Sequence, residues 1–123
     1  FRKAYDTFCP VGPWITTADD VTDPAALDMK LWVNGELRQS ANTRDLVLDI
    51  PGMVATASAV MTLYPGDIIA TGTPEGVGPV VDGDRIRIVI DQVGEMNVDV
   101  VQSDQGMTEV FAQPYVPPII KQN

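Results

Sequence analysis

The pattern of hydrophobic and polar residues is clearest where the apolar arm MKLWV, at 29–33, runs into Asn34-Gly35 and returns over 36–39. An Asn-Gly pair between two such arms favours a type I′ turn, because both central residues of that turn must take positive φ. This segment therefore predicts a β-hairpin.

A second hairpin is predicted further along the chain, where isoleucine alternates with arginine and valine in RIRIVI at 85–90. Such alternation is typical of a half-buried strand, in which every second side chain faces the core. A Gly-Asp turn at 82–84 leads into this strand. Gly94 then turns the chain into a second alternating run at 95–101.

One short helix is predicted over 51–61. Pro51 stands just inside its start, where the missing N–H costs nothing, and Asp49 can accept from the open amides of the first turn. Gly52 and the small residues around it make this a weak helix that must be held by packing. Its apolar face at helical spacing consists of Val54, Ala57 and Met61.

Two further short strands are predicted, one at 14–16 and one at 68–69, where a second Gly-Asp turn leads into Ile-Ile. The chain is thus predicted to be an α+β fold dominated by strands, with one short helix. Several short strands joined by Gly turns suggest a rolled or barrel-like sheet. Trp14 and Trp32 are expected in its core.

Length and charge narrow the functional classes. The chain has 123 residues, one domain's length, and a formal net charge of -9. A nucleic-acid-binding face needs clustered Lys and Arg, so this charge argues against nucleic acid and against docking on anionic lipid. No apolar run approaches the ~20 residues of a membrane-spanning helix, which argues against a membrane partner.

Two residue counts bear on chemistry and compartment. The chain contains no histidine, the commonest general base and transition-metal ligand. Its single cysteine, Cys9, excludes an internal disulfide and suits a reducing compartment, so a cytoplasmic location is expected. Without a histidine to activate it, Cys9 is expected to be a buried, apolar thiol.

The strongest candidate for chemistry is the run ATGTPEGVG at 70–78, which follows the predicted strand at 68–69. Gly72 would let the backbone approach a ligand closely, while the hydroxyls of Thr71 and Thr73 and the amides around them could hold an oxyanion. The alternative is a tight turn in which the threonines bond to local backbone. The run lacks the lysine and the spacing of a phosphate loop.

A second candidate cluster lies at the start of the chain, in KAYDT at 3–7. Lys3 could neutralise a carboxylate or an enolate-like charge, and Thr7 could present an oxygen to the same place. Asp6 could be a ligand or a turn-former. The alternative for Lys3 is a solvated surface charge.

Four segments in this order resemble the fumarylacetoacetate hydrolase family. They are DTFCPVGPW at 6–14, LWVNGELRQSANT at 31–43, MTLYPGDIIATGTPEGVG at 61–78 and DGDRIRIVIDQVGEMNVDV at 82–100. The resemblance runs from Lys3 to about residue 101. Four ordered blocks are far more specific than any single motif.

The resemblance implies an enzyme that uses Mg²⁺ or Mn²⁺ and acts on small 2-oxo or diketo acids, by hydrolysing or decarboxylating a C–C bond or by isomerising an oxo-dienoate. It also implies a mixed β-roll and a homodimer. Lys3 would lie beside metal and substrate, and Thr7 at the metal site. Thr73, with Gly72 and Thr71 beside it, would contact the oxo-acid end of the substrate.

One departure from the family pattern changes the expectation. The family holds its metal mainly with a Glu-x-Glu pair and an aspartate that precede the lysine block, and it often uses a His–Glu pair on an N-terminal lid. This chain has neither Glu-x-Glu nor His. We therefore expect residues 1–123 to be the C-terminal portion of a single catalytic domain, and we expect them alone to bind metal poorly and not to turn over.

Alternatives remain open at this point. One is a non-catalytic binding or assembly domain that kept the roll, and another is a structural subunit whose proline-rich tail packs against a neighbouring subunit. Within the family, the segment CPVGP at 9–13 is most similar to bacterial members of aromatic degradation, which isomerise or decarboxylate oxo-dienedioates. Acylpyruvate hydrolysis and oxaloacetate decarboxylation are the other reactions considered.

Overall fold

The computed structural model describes residues 7–102, so Lys3, Asp6 and the proline-rich tail lie outside the described residues. This part of the chain forms a four-stranded antiparallel sheet with one α-helix and two 3₁₀ turns, in agreement with the strand-dominated α+β prediction. The strands are β1 (Asp28–Val33), β2 (Glu36–Asn42), β3 (Arg85–Ile90) and β4 (Gly94–Asp99), and the helix is α1 (Ile50–Val60). The 3₁₀ turns are Ala18–Asp20 and Thr43–Asp45.

Both predicted hairpins are confirmed. Asn34 and Gly35 join β1 to β2 with φ of 51° and 84°, the positive values that a type I′ turn requires. A β-bulge interrupts this pairing: Leu31 stands opposite Gln39 and Trp32 opposite Leu37, which leaves Arg38 as the extra residue. Gln39 therefore shares a face of the sheet with Leu31.

The strand order is β2-β1-β3-β4, so β1 pairs with β3 across a long connection that carries the helix and the 71–80 loop. Asn34 locks this pairing at one end. Its backbone N–H donates to the carbonyl of Arg85 at 2.9 Å, and its side-chain oxygen accepts from the amide of Arg85 at 2.9 Å. Its side-chain nitrogen also donates to Asp84 at 2.8 Å.

The two faces of the sheet differ sharply in polarity. One face carries the apolar side chains of alternate positions, among them Leu31, Val33 and Ile88. The other carries Lys30, Trp32, Arg87, Glu95 and Asn97. Within residues 7–102 the buried hydrophobic residues are Leu27 and Val33, which are 6% and 8% exposed, so the apolar face is half-covered.

Helix α1 begins at Ile50, one residue before the predicted start, and Asp49 caps it as predicted: the amide of Gly52 donates to the Asp49 carboxylate at 2.8 Å. Its predicted apolar face is wrong at two of three positions, since Val54 and Met61 are 44% and 58% exposed and only Ala57 of the three is half-buried. Small and apolar residues occur on every side of this helix, so their spacing in the sequence does not show which side is buried. Among residues 7–102 no helix has the length and apolarity needed to cross a membrane.

The strand predicted at 14–16 is wrong. The indole N–H of Trp14 and the hydroxyl of Thr16 both donate to the carbonyl of Val93, at 3.0 and 2.7 Å, so side chains replace a backbone ladder there. Trp14 is 58% exposed and lies against Gly94, so its predicted place in the core is also wrong. The burial expected for Cys9 is wrong as well, since this residue is exposed.

The predicted strand at 68–69 is also wrong, although the turn before it is present. The amide of Asp67 donates to the carbonyl of Tyr64 at 3.0 Å, and the Asp67 carboxylate accepts from the Tyr64 amide at 2.7 Å. Ile68 is 67% exposed, and within residues 7–102 its backbone joins no ladder. A segment forms a strand only if another strand lies beside it to pair with, and the local sequence does not reveal such a partner.

The polar face holds the strongest ion pair of the described residues. The guanidinium of Arg87 binds both carboxylate oxygens of Glu95, at 2.8 and 2.7 Å, and lies 4.9 Å above the ring of Trp32. The hydrogen bonds from Arg87 and then from Asn97 lower the pKa of Glu95 to about 2, from its usual 4.5. Bidentate, charge-assisted contacts of this kind favour the ionised carboxylate.

Replacing Glu95 with Gln should therefore lower Tm at neutral pH and lower it by a smaller amount in acid. Because the pKa of Glu95 is lower in the folded state, its stabilisation is present above about pH 4.5 and is lost as the pH falls towards 2. The check is the Tm difference between the parent protein and Glu95→Gln at pH 7 and pH 3. The control is Asp99→Asn, whose carboxylate contacts Arg85 only at 3.7 Å and should change Tm less. A constant difference across this range would contradict the assignment.

Candidate functional site

The run predicted to carry chemistry lies at the surface beside β2. Thr71, Gly72 and Thr73 are exposed, and Gly72 adopts a φ of 139° that favours glycine. The loop that follows closes one side of a cavity of about 240 Å³. Its lining includes the apolar Leu31, Val33 and Ile86 of the sheet and the polar Arg38, Gln39 and Thr73.

Gln39 fastens this loop to the sheet. Its side-chain nitrogen donates to the hydroxyl of Thr73 at 3.3 Å and to the carbonyl of Pro74 at 3.0 Å. Gln39 was not predicted as a site residue, because a contact between residues 34 positions apart leaves no local signal in the sequence. The proximity of Gln39 in β2 to the glycine-threonine run is visible only in the folded chain.

A second contact fixes the same loop at Gly76. This residue has a φ of 94°, and a Cβ added there would overlap the carbonyl oxygen of Arg38 and lie 2.9 Å from its carbonyl carbon. The backbone of the loop thus crosses directly over β2 with no space for a side chain. Glycine is required at this position for both conformation and contact.

Arg38 brings a positive charge to the edge of the cavity. It is the extra residue of the β2 bulge, and a Cβ at Gly78 would lie 3.3 Å from its guanidinium. Its nearest counter-charge is Glu36, at 3.7 Å between nitrogen and oxygen. Among the described residues that line this cavity, Arg38 is the one that carries a charge.

The structure brings together only part of the predicted site. Thr73 meets Gln39 and borders the cavity, whereas Lys3 lies outside the described residues. Thr7 is exposed with a φ of 68°, an unusual backbone conformation for a β-branched residue. Among the hydrogen bonds of residues 7–102, none joins Thr7 to the 71–73 run.

The described residues do not fit a metal site by themselves. Mg²⁺ and Mn²⁺ favour carboxylate and other oxygen ligands, usually several converging on one point. Within residues 7–102 no group of three or more Asp, Glu or Cys side chains converges in this way. What this part of the chain offers is therefore a surface that can hold a ligand, made of an apolar floor and a polar rim.

Comparison with known proteins decides the family. The model of the "Fumarylacetoacetate (FAA) hydrolase C-terminal" family matches residues 1–101. The chain belongs to the fumarylacetoacetate hydrolase family. This range contains all four segments whose order predicted the family, and the prediction is confirmed.

Several relatives in the fumarylacetoacetate hydrolase family are similar over most of the chain. A crystal structure of maleylpyruvate hydrolase from Sphingobium sp. SYK-6, in complex with manganese(II) and pyruvate, is 89% identical with a TM-score of 0.82, over 84% of this chain and 39% of that one. A 2-hydroxyhepta-2,4-diene-1,7-dioate isomerase from Mycobacterium marinum is 48% identical with a TM-score of 0.76, over 82% of this chain and 39% of that one. A maleylpyruvate hydrolase of Aquipseudomonas alcaligenes is 49% identical over 80% of this chain and 34% of the relative.

The chain thus spans less than half the length of these fumarylacetoacetate hydrolase relatives. The range that matches the family model, residues 1–101, contains the sheet, the glycine-threonine loop and the cavity between them. A relative named as a hydrolase and one named as an isomerase each match more than four-fifths of this chain, at 84% and 82%.

Replacing Gly76 with Ala should detach the loop from β2. The added Cβ has no room against the Arg38 carbonyl, so the loop must move in addition to bearing the backbone strain of a positive φ, about 1–3 kcal/mol. The measurements are Tm and the kcat/KM of the intact protein. Gly66→Ala is the matched control, since Gly66 has a φ of 100° and open space around its Cβ position. Equal effects of the two substitutions would show that the crossing over β2 is unimportant.

Proposed function

We propose that the intact protein is a divalent-metal-dependent hydrolase of acylpyruvates, with maleylpyruvate as its substrate. The observation that carries this proposal is the 89% identity to a maleylpyruvate hydrolase crystallised with manganese(II) and pyruvate. Hydrolysis of maleylpyruvate adds water across one C–C bond and gives maleate and pyruvate. Pyruvate is a product of that reaction, so the ligand of the relative agrees with the proposed chemistry.

Hydrolysis is preferred over the isomerisation or decarboxylation that the segment at 9–13 suggested. The M. marinum isomerase shares 48% identity with this chain, and a bifunctional isomerase/decarboxylase of Salmonella dublin shares 47%. Both values support the family. The much higher identity to a hydrolase supports this reaction within it.

The chain's own contribution is to hold the oxo-acid end of the substrate. The hydroxyl of Thr73 would donate to the substrate carboxylate, and Gly72 and Thr71 would bring backbone amides close to it. The cavity beside Thr73 has an apolar floor that suits a carbon chain and a cation, Arg38, at its edge. Holding the carboxylate aligns the bond that must break.

Three further elements belong to the proposal. As the C–C bond breaks, its electrons pass to the pyruvyl fragment, which carries an oxyanion until a proton takes the place of the acyl group. Lys3 would place positive charge near this oxyanion. Thr7 would lie near the metal. The ligands for Mg²⁺ or Mn²⁺ would come mainly from residues other than those described, which supply no such set.

The proposal also includes the mixed β-roll, the homodimer and the cytoplasmic location that the resemblance and the cysteine content predicted. The four antiparallel strands support a sheet-based domain, and the half-covered apolar face supports further elements packed on it. The non-catalytic assembly domain is less favoured, because the glycine-threonine run borders an open cavity.

The function is tested with the intact protein loaded with Mn²⁺ or Mg²⁺ and supplied with maleylpyruvate. We expect metal-dependent formation of pyruvate, measured with a coupled lactate dehydrogenase assay, in equal amount to maleate. Residues 1–123 alone should form none. Failure of the intact protein to release pyruvate with either metal, or isomerisation of an oxo-dienedioate without C–C cleavage, would overturn the proposal.

In that assay Thr73→Val should reduce kcat/KM by about ten- to a hundredfold, because it removes a hydrogen bond to a charged group worth about 1.5–3 kcal/mol while keeping the side-chain shape. Tm should change little, since Thr73 is exposed. Thr22→Val is the matched control, an exposed threonine in a turn away from the cavity. Unchanged kinetics in Thr73→Val would contradict substrate binding by Thr73 and favour the alternative that this residue only stabilises the turn.

A further inference from the structure

Gln39 occupies a position from which it can control the hydroxyl of Thr73. It stands opposite Leu31 in the β1–β2 ladder, on the face of the sheet that borders the cavity. It is half-buried, so its amide is held between the strand and the loop. Its side-chain nitrogen lies 3.0 Å from the carbonyl oxygen of Pro74 and 3.3 Å from the hydroxyl oxygen of Thr73.

The partner at Pro74 determines which way the Gln39 amide points. A backbone carbonyl can only accept a hydrogen bond, so the nitrogen end of the amide must face it and the oxygen end must face away. The NH₂ group has two hydrogens. One is used by the Pro74 carbonyl, and the other is directed at the Thr73 oxygen.

The direction of the Thr73 hydroxyl follows from this arrangement. A hydroxyl that accepts from an amide keeps its own hydrogen for a different partner. We propose that Gln39 is a positioning residue that makes Thr73 a hydrogen-bond donor towards the cavity, and so prepares it for the carboxylate of a 2-oxo acid. The inference rests on the proposed function and assigns the cause of its carboxylate recognition to a residue of β2.

Gln39 has a role distinct from simple anchoring, because the loop has a second attachment. Gly76 lies against the Arg38 carbonyl whatever the side chain at position 39 does. The path of the loop backbone is therefore fixed at Gly76 as well as at Pro74. Within residues 7–102, the donor that sets the direction of the Thr73 hydrogen comes from Gln39.

The test is Gln39→Glu in the intact, Mn²⁺-loaded protein. The introduced carboxylate has almost the same shape, but it cannot donate to Pro74, and it accepts from Thr73 and so turns the hydroxyl hydrogen away from the cavity. We expect the affinity for pyruvate, measured by calorimetry, to fall about ten- to a hundredfold, as for loss of a hydrogen bond to a charged group. KM for maleylpyruvate should rise with it.

The matched control is Gln92→Glu, which makes the same chemical change at a glutamine whose amide accepts a hydrogen bond instead of donating one. The side-chain oxygen of Gln92 accepts from the backbone N–H of Thr22 at 2.7 Å, and a carboxylate can accept equally well. Pyruvate affinity and KM should therefore match those of the parent protein.

A second variant and a double variant distinguish the loss of hydroxyl positioning from a general loss of folded structure. Gln39→Met removes both donors without imposing a new direction on the hydroxyl, so its pyruvate affinity should lie between the parent and Gln39→Glu. In a Thr73→Val background, Gln39→Glu should cause little further loss, because both changes act through one hydroxyl. Parental affinity in Gln39→Met and Gln39→Glu, or fully additive losses in the double variant, would overturn the inference.

These outcomes separate the inference from the proposed function. A parent protein that binds pyruvate and hydrolyses maleylpyruvate, with unchanged kinetics in Gln39→Glu, overturns the role of Gln39 and leaves the function standing. A parent protein that does neither overturns the function, and the role of Gln39 falls with it.

Discussion

The described part of the chain depends on the pairing of β1 with β3, two strands that are far apart in sequence. Asn34 closes this pairing with bonds to Arg85, 51 residues away, and the same side chain also reaches Asp84. The chain between β2 and β3, which includes α1 and the glycine-threonine loop, leaves the sheet at the end of β2 and returns to it at β3. Because both ends are fixed, the loop can return across β2 and border the cavity beside it.

The features that the sequence predicted well are those whose physical cause is local. The Asn34-Gly35 turn follows from the backbone conformations that these two residues tolerate, and the cap at Asp49 follows from the open amides of a helix start. The alternation of RIRIVI predicted β3 for the same reason, since side chains on a strand change face at each residue. The glycine-threonine run was recognisable as a candidate site because Gly72 and two hydroxyls form an unusual local combination.

The features that were missed depend on partners distant in sequence. The residues next to Trp14 in the sequence do not indicate that its indole N–H will donate to the Val93 carbonyl instead of the ring entering a core. Nothing near Ile68 tells whether a strand edge will be available to it. Gln39 is the clearest case, because its importance at the candidate site lies wholly in a contact with Thr73 that only the folded chain creates.

The extra residue in β2 has a consequence for how this architecture can vary. Leu31 faces Gln39 only because Arg38 is accommodated outside the regular ladder. If the same residues continued from the Trp32–Leu37 pair as a regular ladder, Arg38 would stand opposite Leu31, and Gln39 would stand opposite Lys30 on the polar side of the sheet, out of reach of Thr73. Regular pairing at this strand length would thus place a guanidinium instead of an amide beside the cavity, so the bulge at Arg38 is what brings Gln39 to Thr73.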